Sequence, residues 1–278
     1  MRNLKKLLRM PLVAFGFAVI LIVVICAIFA PWIAPYNPNI SDTDNLLAGP
    51  SRTHLLGTDQ IGRDTLSRII FGSRIALIVG IGTVVISTVI GVPIGLVSAY
   101  LSGWVDTVLM RIMDAFLAFP SLIIAVGLVS VLGGSLLNVI IAIGVASMPW
   151  MARIVRSSAL AIRERQFITA ARSGGGGTAL IIRKHLWPNC TAPVIVQGTL
   201  SMAYAILIEA SLGFLGVSVQ PPTPTWGNML QFSFHFLEED PLLSIAPGLA
   251  IFLLVLAVNF VGDGLRDILD PRLRGLFN

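Results

Sequence analysis

The lengths and spacing of the apolar runs constrain this chain more than any other feature. A helix that crosses a bilayer needs about 20 mostly apolar residues, because the hydrocarbon layer is ~30 Å thick and each residue advances a helix by ~1.5 Å. Six segments qualify, at 11–32, 75–101, 115–132, 136–151, 192–215 and 243–262. Composition agrees with a bilayer as the main solvent. Charged residues make up 12% of the 278, against roughly 25% in soluble domains. The fold class expected is all-α, a polytopic membrane protein with six transmembrane helices.

The first apolar run follows a basic head of Arg2, Lys5, Lys6 and Arg9, as a secretory signal would. The run is longer than the 7–15 apolar residues of a signal core, so it reads as a retained span. Trp32 and Tyr36 then stand at an interfacial position. Six spans put both termini on one side. With that side cytoplasmic, four basic residues lie outside (Arg52, Arg63, Arg68 and Arg74) and the other 15 of the 19 lie inside. This asymmetry obeys the positive-inside rule. It also accounts for the net charge of +5 without a nucleic-acid partner. Cys26 lies in an apolar run, far from Cys190, so no disulfide framework is expected.

Three regions follow. Residues 1–74 form an N-terminal anchor helix and outer segment. Residues 75–263 form a core, with a long cytoplasmic loop at 152–190. Residues 264–278 form a cytoplasmic tail. In the outer segment, HLLGTDQIGRDTLSRIIFGSRIAL carries turn signals at Gly57 and Gly62. Asp64 is placed to cap a helix with Leu66, Ile69 and Ile70 at helical spacing. That helix is expected to lie along the outer membrane surface. Pro93 implies a kink in the second span. A second outer segment, 217–241, contains Pro221, Pro222 and Pro224, which cannot continue a helix.

Catalytic signatures are missing from the sequence. SGGGGT at 173–178 lacks the lysine of a phosphate-binding loop, and no strand precedes it. His54, His185 and His235 match no metal-ligand spacing. Ser211 lies in a span, but no histidine lies in any span to activate it. The expectation is a non-catalytic protein, with no cofactor and no metal of its own.

The polar island QFITAARSGGGGTALIIRKHLWPN, 166–189, combines a short alanine-rich helix, a glycine break, a basic helix and a proline. Phe167, Ala170 and Ala171 share one face through i, i+3 and i+4 spacing. Arg163, Arg165 and Arg172 surround that face and are suited to acidic groups on a partner. An ordinary solvated basic loop has the same composition. The ordered pattern, however, resembles the cytoplasmic loop that ABC-transporter permease subunits insert into their ATPase partner. That loop runs Glu-Ala-Ala, three residues, Gly, then Leu-Pro. Here Thr169, Ala170 and Ala171 take the first positions, Gly175 the glycine and Pro188 the proline. Thr169 replaces the acidic residue and Trp187 the leucine.

The likeness extends to HLLGTDQIGRDTLSRIIFGSRIAL, to EASLGFLGVSVQPPTPTWGNML at 209–230 and to PGLAIFLLVLAVNFVGDGLRDILDPRL at 247–273. These resemble the second, C-type permease of the dipeptide, oligopeptide and nickel uptake branch. The resemblance implies a type I ABC importer permease fold in the bacterial cytoplasmic membrane. It implies a second, homologous permease, ABC ATPase subunits that bind the ATP, and an extracytoplasmic solute-binding protein. It assigns Phe167, Thr169, Ala170, Ala171, Arg172, Gly175 and Pro188 to ATPase coupling. Peptide is the first substrate expectation and nickel the second. A self-sufficient carrier would need coupling-ion residues, and Glu209 is the one carboxylate in a predicted span core. An intramembrane carboxylate either lines a pathway or forms a structural hydrogen bond. The sequence leaves both readings of Glu209 open.

Overall fold

Apolar runs become helices here because a chain in hydrocarbon must satisfy every backbone polar group within itself. The computed structural model describes residues 10–269. The basic head and the tail from 270, with Arg272 and Arg274, lie outside the described residues. Helix α1 spans Pro11–Ile33, α2 Thr65–Leu101, α3 Gly103–Leu117, α4 Ser121–Leu132 and α5 Leu136–Arg163. They are followed by α6 at Gln166–Ser173, α7 at Thr178–Phe214, α8 at Trp226–Ser233 and α9 at Leu242–Leu269. Among the described residues, α1, α2, α5, α7 and α9 are long and apolar enough to cross a membrane.

The third of the six expected spans is broken. Helices α3 and α4 pass the same test only as a pair, bent by 87°. The expected single helix over 115–132 is therefore corrected. Pro120 stands at the break with φ −55° and ψ 132°. A proline disfavours helical backbone in the residue before it, here Phe119, so the helix stops and restarts in a new direction.

Helix α2 also departs from expectation. The outer-surface helix and the second span are one unbroken helix of 37 residues, about 55 Å long at ~1.5 Å per residue. Asp64 caps it as expected, its Oδ2 accepting from Ser67 N at 2.8 Å. The first turns are not an exposed amphipathic helix, because segment 34–64 folds over them. Arg68 is buried there, with Nη1 donating to the Pro38 carbonyl at 2.9 Å and Nε 3.8 Å from Asp59. His54 Nδ1 lies 2.9 Å from Asp64 Oδ1. Gly57 and Gly62 both take positive φ, and a Cβ on Gly62 would stand 1.9 Å from the Asp42 carbonyl oxygen.

Helices α2 and α5 pack through small residues. A Cβ on Gly91 would lie 2.8 Å from the Met148 carbonyl oxygen, and one on Gly95 would lie 2.5 Å from that of Ala152. Such close backbone approach is how helices associate in lipid, where no hydrophobic force separates tail from side chain. One core joins Val79, Val129, Ile143 and Leu212 of α2, α4, α5 and α7. A second, at the other end, joins Leu96, Val155, Ile168, Ile181 and Leu186. The end of α5 and the loop 164–177 belong to that second end.

Candidate functional site

Helix α6 is short and is held by its neighbours rather than by its own length. Ile168 is fully buried in the loop-end core with Ile181 and Leu186. Phe167, Thr169, Ala170 and Arg172 are exposed, whereas Ala171 is half-buried against that core. The outward face therefore carries Phe167 and Ala170, with Ala171 turned partly inward.

The three-residue gap between Ala171 and Gly175 has a geometric reason. Gly176 N donates to the Ala171 carbonyl at 3.0 Å and Gly175 N to that of Arg172 at 2.9 Å. These are the two bonds of a Schellman turn, which requires a left-handed residue after the helix cap. Gly175 supplies it, at φ +79°. The glycine thus ends α6 and turns the chain toward α7.

Pro188 is not where the span begins. Helix α7 already runs from Thr178, so the basic half of the loop is the first part of the fifth span helix. A proline inside a helix loses a hydrogen bond and crowds the carbonyl four residues earlier. The chain widens into a π turn at Ile182–Leu186 just before it, which relieves that conflict.

Two of the three arginines flanking α6 are engaged within the chain. Arg163 Nη1 donates to the Ala99 carbonyl at 2.8 Å and also reaches Ser102 Oγ, while its Nε lies 3.2 Å from Glu164. It thereby satisfies a carbonyl that the C-terminus of α2 leaves open. The Arg172 guanidinium lies 5.0 Å from the centre of the Tyr100 ring, within cation–π range. Nearby, Arg156 grips Asp106 in a two-bond fork and Arg153 pairs with Asp114. Sequence reading left Asp106 and Asp114 unnoticed. Both are carboxylates of α3, whose membership in a broken span shows only through Pro120.

A cavity of about 620 Å³ opens at the break between α3 and α4. This size falls within the ~300–1,000 Å³ of small-molecule sites. Its walls include Phe119 and Pro120 of the break, Ser147 and Trp150 of α5, and Gln197 and Tyr204 of α7. No ionisable acid, base, thiol or imidazole stands in this wall except the phenol of Tyr204. Ser147 is buried, and its hydroxyl has no hydrogen-bond partner among the described residues. A second cavity of about 450 Å³ continues toward the loop end and shares Gln197 and Leu200 with the first. None of these lining residues was singled out from the sequence. Serine, glutamine and tyrosine are unremarkable in an apolar run until tertiary structure aims them at one space.

Glu209 lies elsewhere, toward the opposite end, and is only 3% exposed. It accepts a hydrogen bond from Ser218 Oγ at 3.0 Å. Around it, Asn228 Nδ2 donates to the Val219 carbonyl at 2.6 Å and Trp226 Nε1 to that of Ile69 at 3.0 Å. A Cβ on Gly227 would stand 2.5 Å from the Ala210 carbonyl oxygen. The EASLGFLGVSVQPPTPTWGNML stretch is thus a folded clasp between α7, α8 and α2.

Residues 91–275 match the family model described as the binding-protein-dependent transport system inner membrane component. Residues 2–50 match the N-terminal transmembrane domain of oligopeptide transport permease C. The chain belongs to this permease family. It is 46% identical over 265 residues to the di/tripeptide transport system permease protein DppC of Pseudomonas aeruginosa (strain UCBPP-PA14), covering 93% of this chain and 88% of that one. It is 42% identical to the dipeptide permease DppC of Alkalihalophilus pseudofirmus, covering 97% and 89%. The glutathione transport permease GsiD of Escherichia coli O6:K15:H31 is 44% identical, covering 96% and 88%. The fold is that of a chain of the MetNI methionine ABC transporter in inward-facing conformations. The TM-score is 0.61 at 20% identity, over 73% of this chain and 97% of that one. This permease is therefore a multi-pass inner-membrane subunit with the type I ABC importer fold.

Proposed function

We propose that this permease forms half the pore of an ATP-driven importer of di- and tripeptides. Its termini and α6 face the cytoplasm. A homologous second permease completes the pore. Separate ATPase subunits bind and hydrolyse ATP and clasp α6 through Phe167, Thr169, Ala170, Ala171 and Arg172, with Gly175 setting the turn. A solute-binding protein delivers the substrate to the opposite end.

The observation that carries this reading is one bundle bearing both a short helix that presents Phe167 and Ala170 outward at one end and a neutral polar cavity at the break of a span. Hydroxyl and amide groups such as Ser147, Gln197 and Tyr204 match the hydrogen-bonding groups of a peptide backbone. Imidazole or thiolate, the ligands that suit nickel-like ions, do not line it. The peptide and glutathione transport named for the relatives points the same way. Glu209, held in its clasp by Ser218, acts as a structural tie rather than as a pathway charge.

The test is uptake by the assembled complex in proteoliposomes. ATP-dependent accumulation of a labelled dipeptide, competed by other short peptides and not by nickel, is expected. Accumulation driven by an ion gradient without ATP, or nickel uptake in place of peptide, would overturn the proposal.

A further inference from the structure

The turn joining α2 to α3 is folded against its backbone preference. Ser102 has φ +54° with ψ −166°, and Gly103 follows at φ +59°. Glycine enters this region freely, whereas serine rarely does. A non-glycine residue stays there only when its surroundings hold it.

The groups that hold it come from the elements that carry α6. Arg163, the last residue of α5, reaches the Ser102 hydroxyl and donates to the Ala99 carbonyl at 2.8 Å. Arg172 of α6 lies over Tyr100, two residues before the turn. On the far side, Asp106 in the first turn of α3 accepts two bonds of 2.6 Å from Arg156 of α5, and one from Ser98 Oγ of α2. Only Glu164 and Arg165 separate α5 from α6. Helix α3 then runs to Leu117, which lines the cavity at the broken span.

From this convergence we infer that the Arg163–Ser102 elbow is a mechanical relay, carrying displacement of α6 to α3 and so to the break at the cavity. Spatial intermediacy alone does not make a relay. The warrant required is an element with two arrangements that both sites bias. The elbow is proposed as that element: the structure shows the held arrangement, with Ser102 at positive φ, and the second is the one Ser102 would relax to, swinging α3, once Arg163 withdraws. Arg163 is a positioning residue in this scheme and touches neither substrate nor ATPase.

The inference rests on the proposed docking of an ATPase at α6, and one experiment separates the two. The full complex is purified with its second permease, ATPase and binding protein. Hydrolysis is measured with and without loaded binding protein, alongside peptide uptake. If the ATPase does not co-purify with wild type, the docking reading fails and the relay with it. If it does, the variants judge the relay alone. Arg163→Ala is expected to retain the ATPase and its basal hydrolysis. Stimulation by loaded binding protein and uptake should both fall by about tenfold or more, within the usual range of coupling between sites. Ser102→Gly keeps the backbone shape but loses the hydroxyl, and should show a smaller loss of the same kind. Wild-type stimulation and uptake in Arg163→Ala overturn the relay. Loss of the ATPase from that variant also overturns it, since Arg163 would then merely support the docking surface. Should Arg163→Ala fail to assemble, Ser102→Gly decides by the same split: basal hydrolysis kept with stimulation lost supports the relay, and both unchanged overturns it.

Discussion

Arg156 holds Asp106 by two parallel hydrogen bonds, Nε to Oδ1 and Nη2 to Oδ2, each 2.6 Å long. The pair joins α5 to the first turn of α3 across 50 residues of chain. Its side chains are 32% and 19% exposed, so water screens it only in part. A charge-assisted fork of this kind contributes about 1–2 kcal/mol at a half-shielded site.

Arg156→Ala should therefore lower the thermal unfolding midpoint of the purified protein by about 2–6 °C. Arg156→Lys should recover only part of that, because an ammonium cannot reproduce the planar fork. A lysine variant as stable as wild type would mean that the charge alone matters.

The two alanines of α6 should behave differently. Ala170 is exposed, so Ala170→Arg should leave the fold intact and block ATPase co-purification and uptake. Ala171 is half-buried against the Ile168 core. Ala171→Arg should abolish uptake too, but also destabilise the loop, since overpacking costs ~1–3 kcal/mol and a buried unpaired charge adds to it. Limited proteolysis at the loop separates them. Equal protection in both variants would refute the inward turn of Ala171.

Gly175 and Gly176 should fail for different reasons. A side chain on Gly175 meets open space but sits at φ +79°, so Gly175→Ala should cost about 1 kcal/mol. Asparagine, which tolerates that region, should be milder than alanine. Gly176→Ala would put Cβ 2.7 Å from the Ala171 carbonyl oxygen, and the turn itself must shift. ATPase retention during purification should fall in the order Gly175→Asn, Gly175→Ala, Gly176→Ala. An unchanged Gly176→Ala complex would show that the turn is not needed for docking.

Glu209→Gln should be nearly silent in uptake, because an amide can still accept from Ser218. Glu209→Ala leaves the clasp unpaired and should cost about 1–3 kcal/mol, seen as reduced co-purification of the second permease. Lost uptake in the glutamine variant with normal assembly would return Glu209 to the pathway.

Orientation is tested by labelling. In a background lacking Cys26 and Cys190, a cysteine at Ser173 should be protected in intact cells and one at Thr223 labelled. The reverse pattern would invert the topology.

The sequence by itself determined which apolar runs become long helices, the place of the short helix α6 between two of them, and the caps. Spans, Asp64, Gly57, Gly62 and Gly175 each act through local backbone physics: apolar length, a carboxylate before a helix, or a residue that accepts positive φ. Family membership was visible for the same reason, since its motifs are short and contiguous. Only the tertiary structure decided that the helix capped by Asp64 runs unbroken into the second span, that the third span breaks at Pro120 and that Arg163 turns inward. Those outcomes depend on partners distant in the chain. Segment 34–64 covers the polar face of α2, the α2 terminus offers Arg163 a carbonyl, and α5 and α7 converge on the break to enclose Ser147 and Gln197. A pattern read along one helix shows which face is apolar. Which neighbour covers a polar face is decided by packing, and there the relay and the cavity arise.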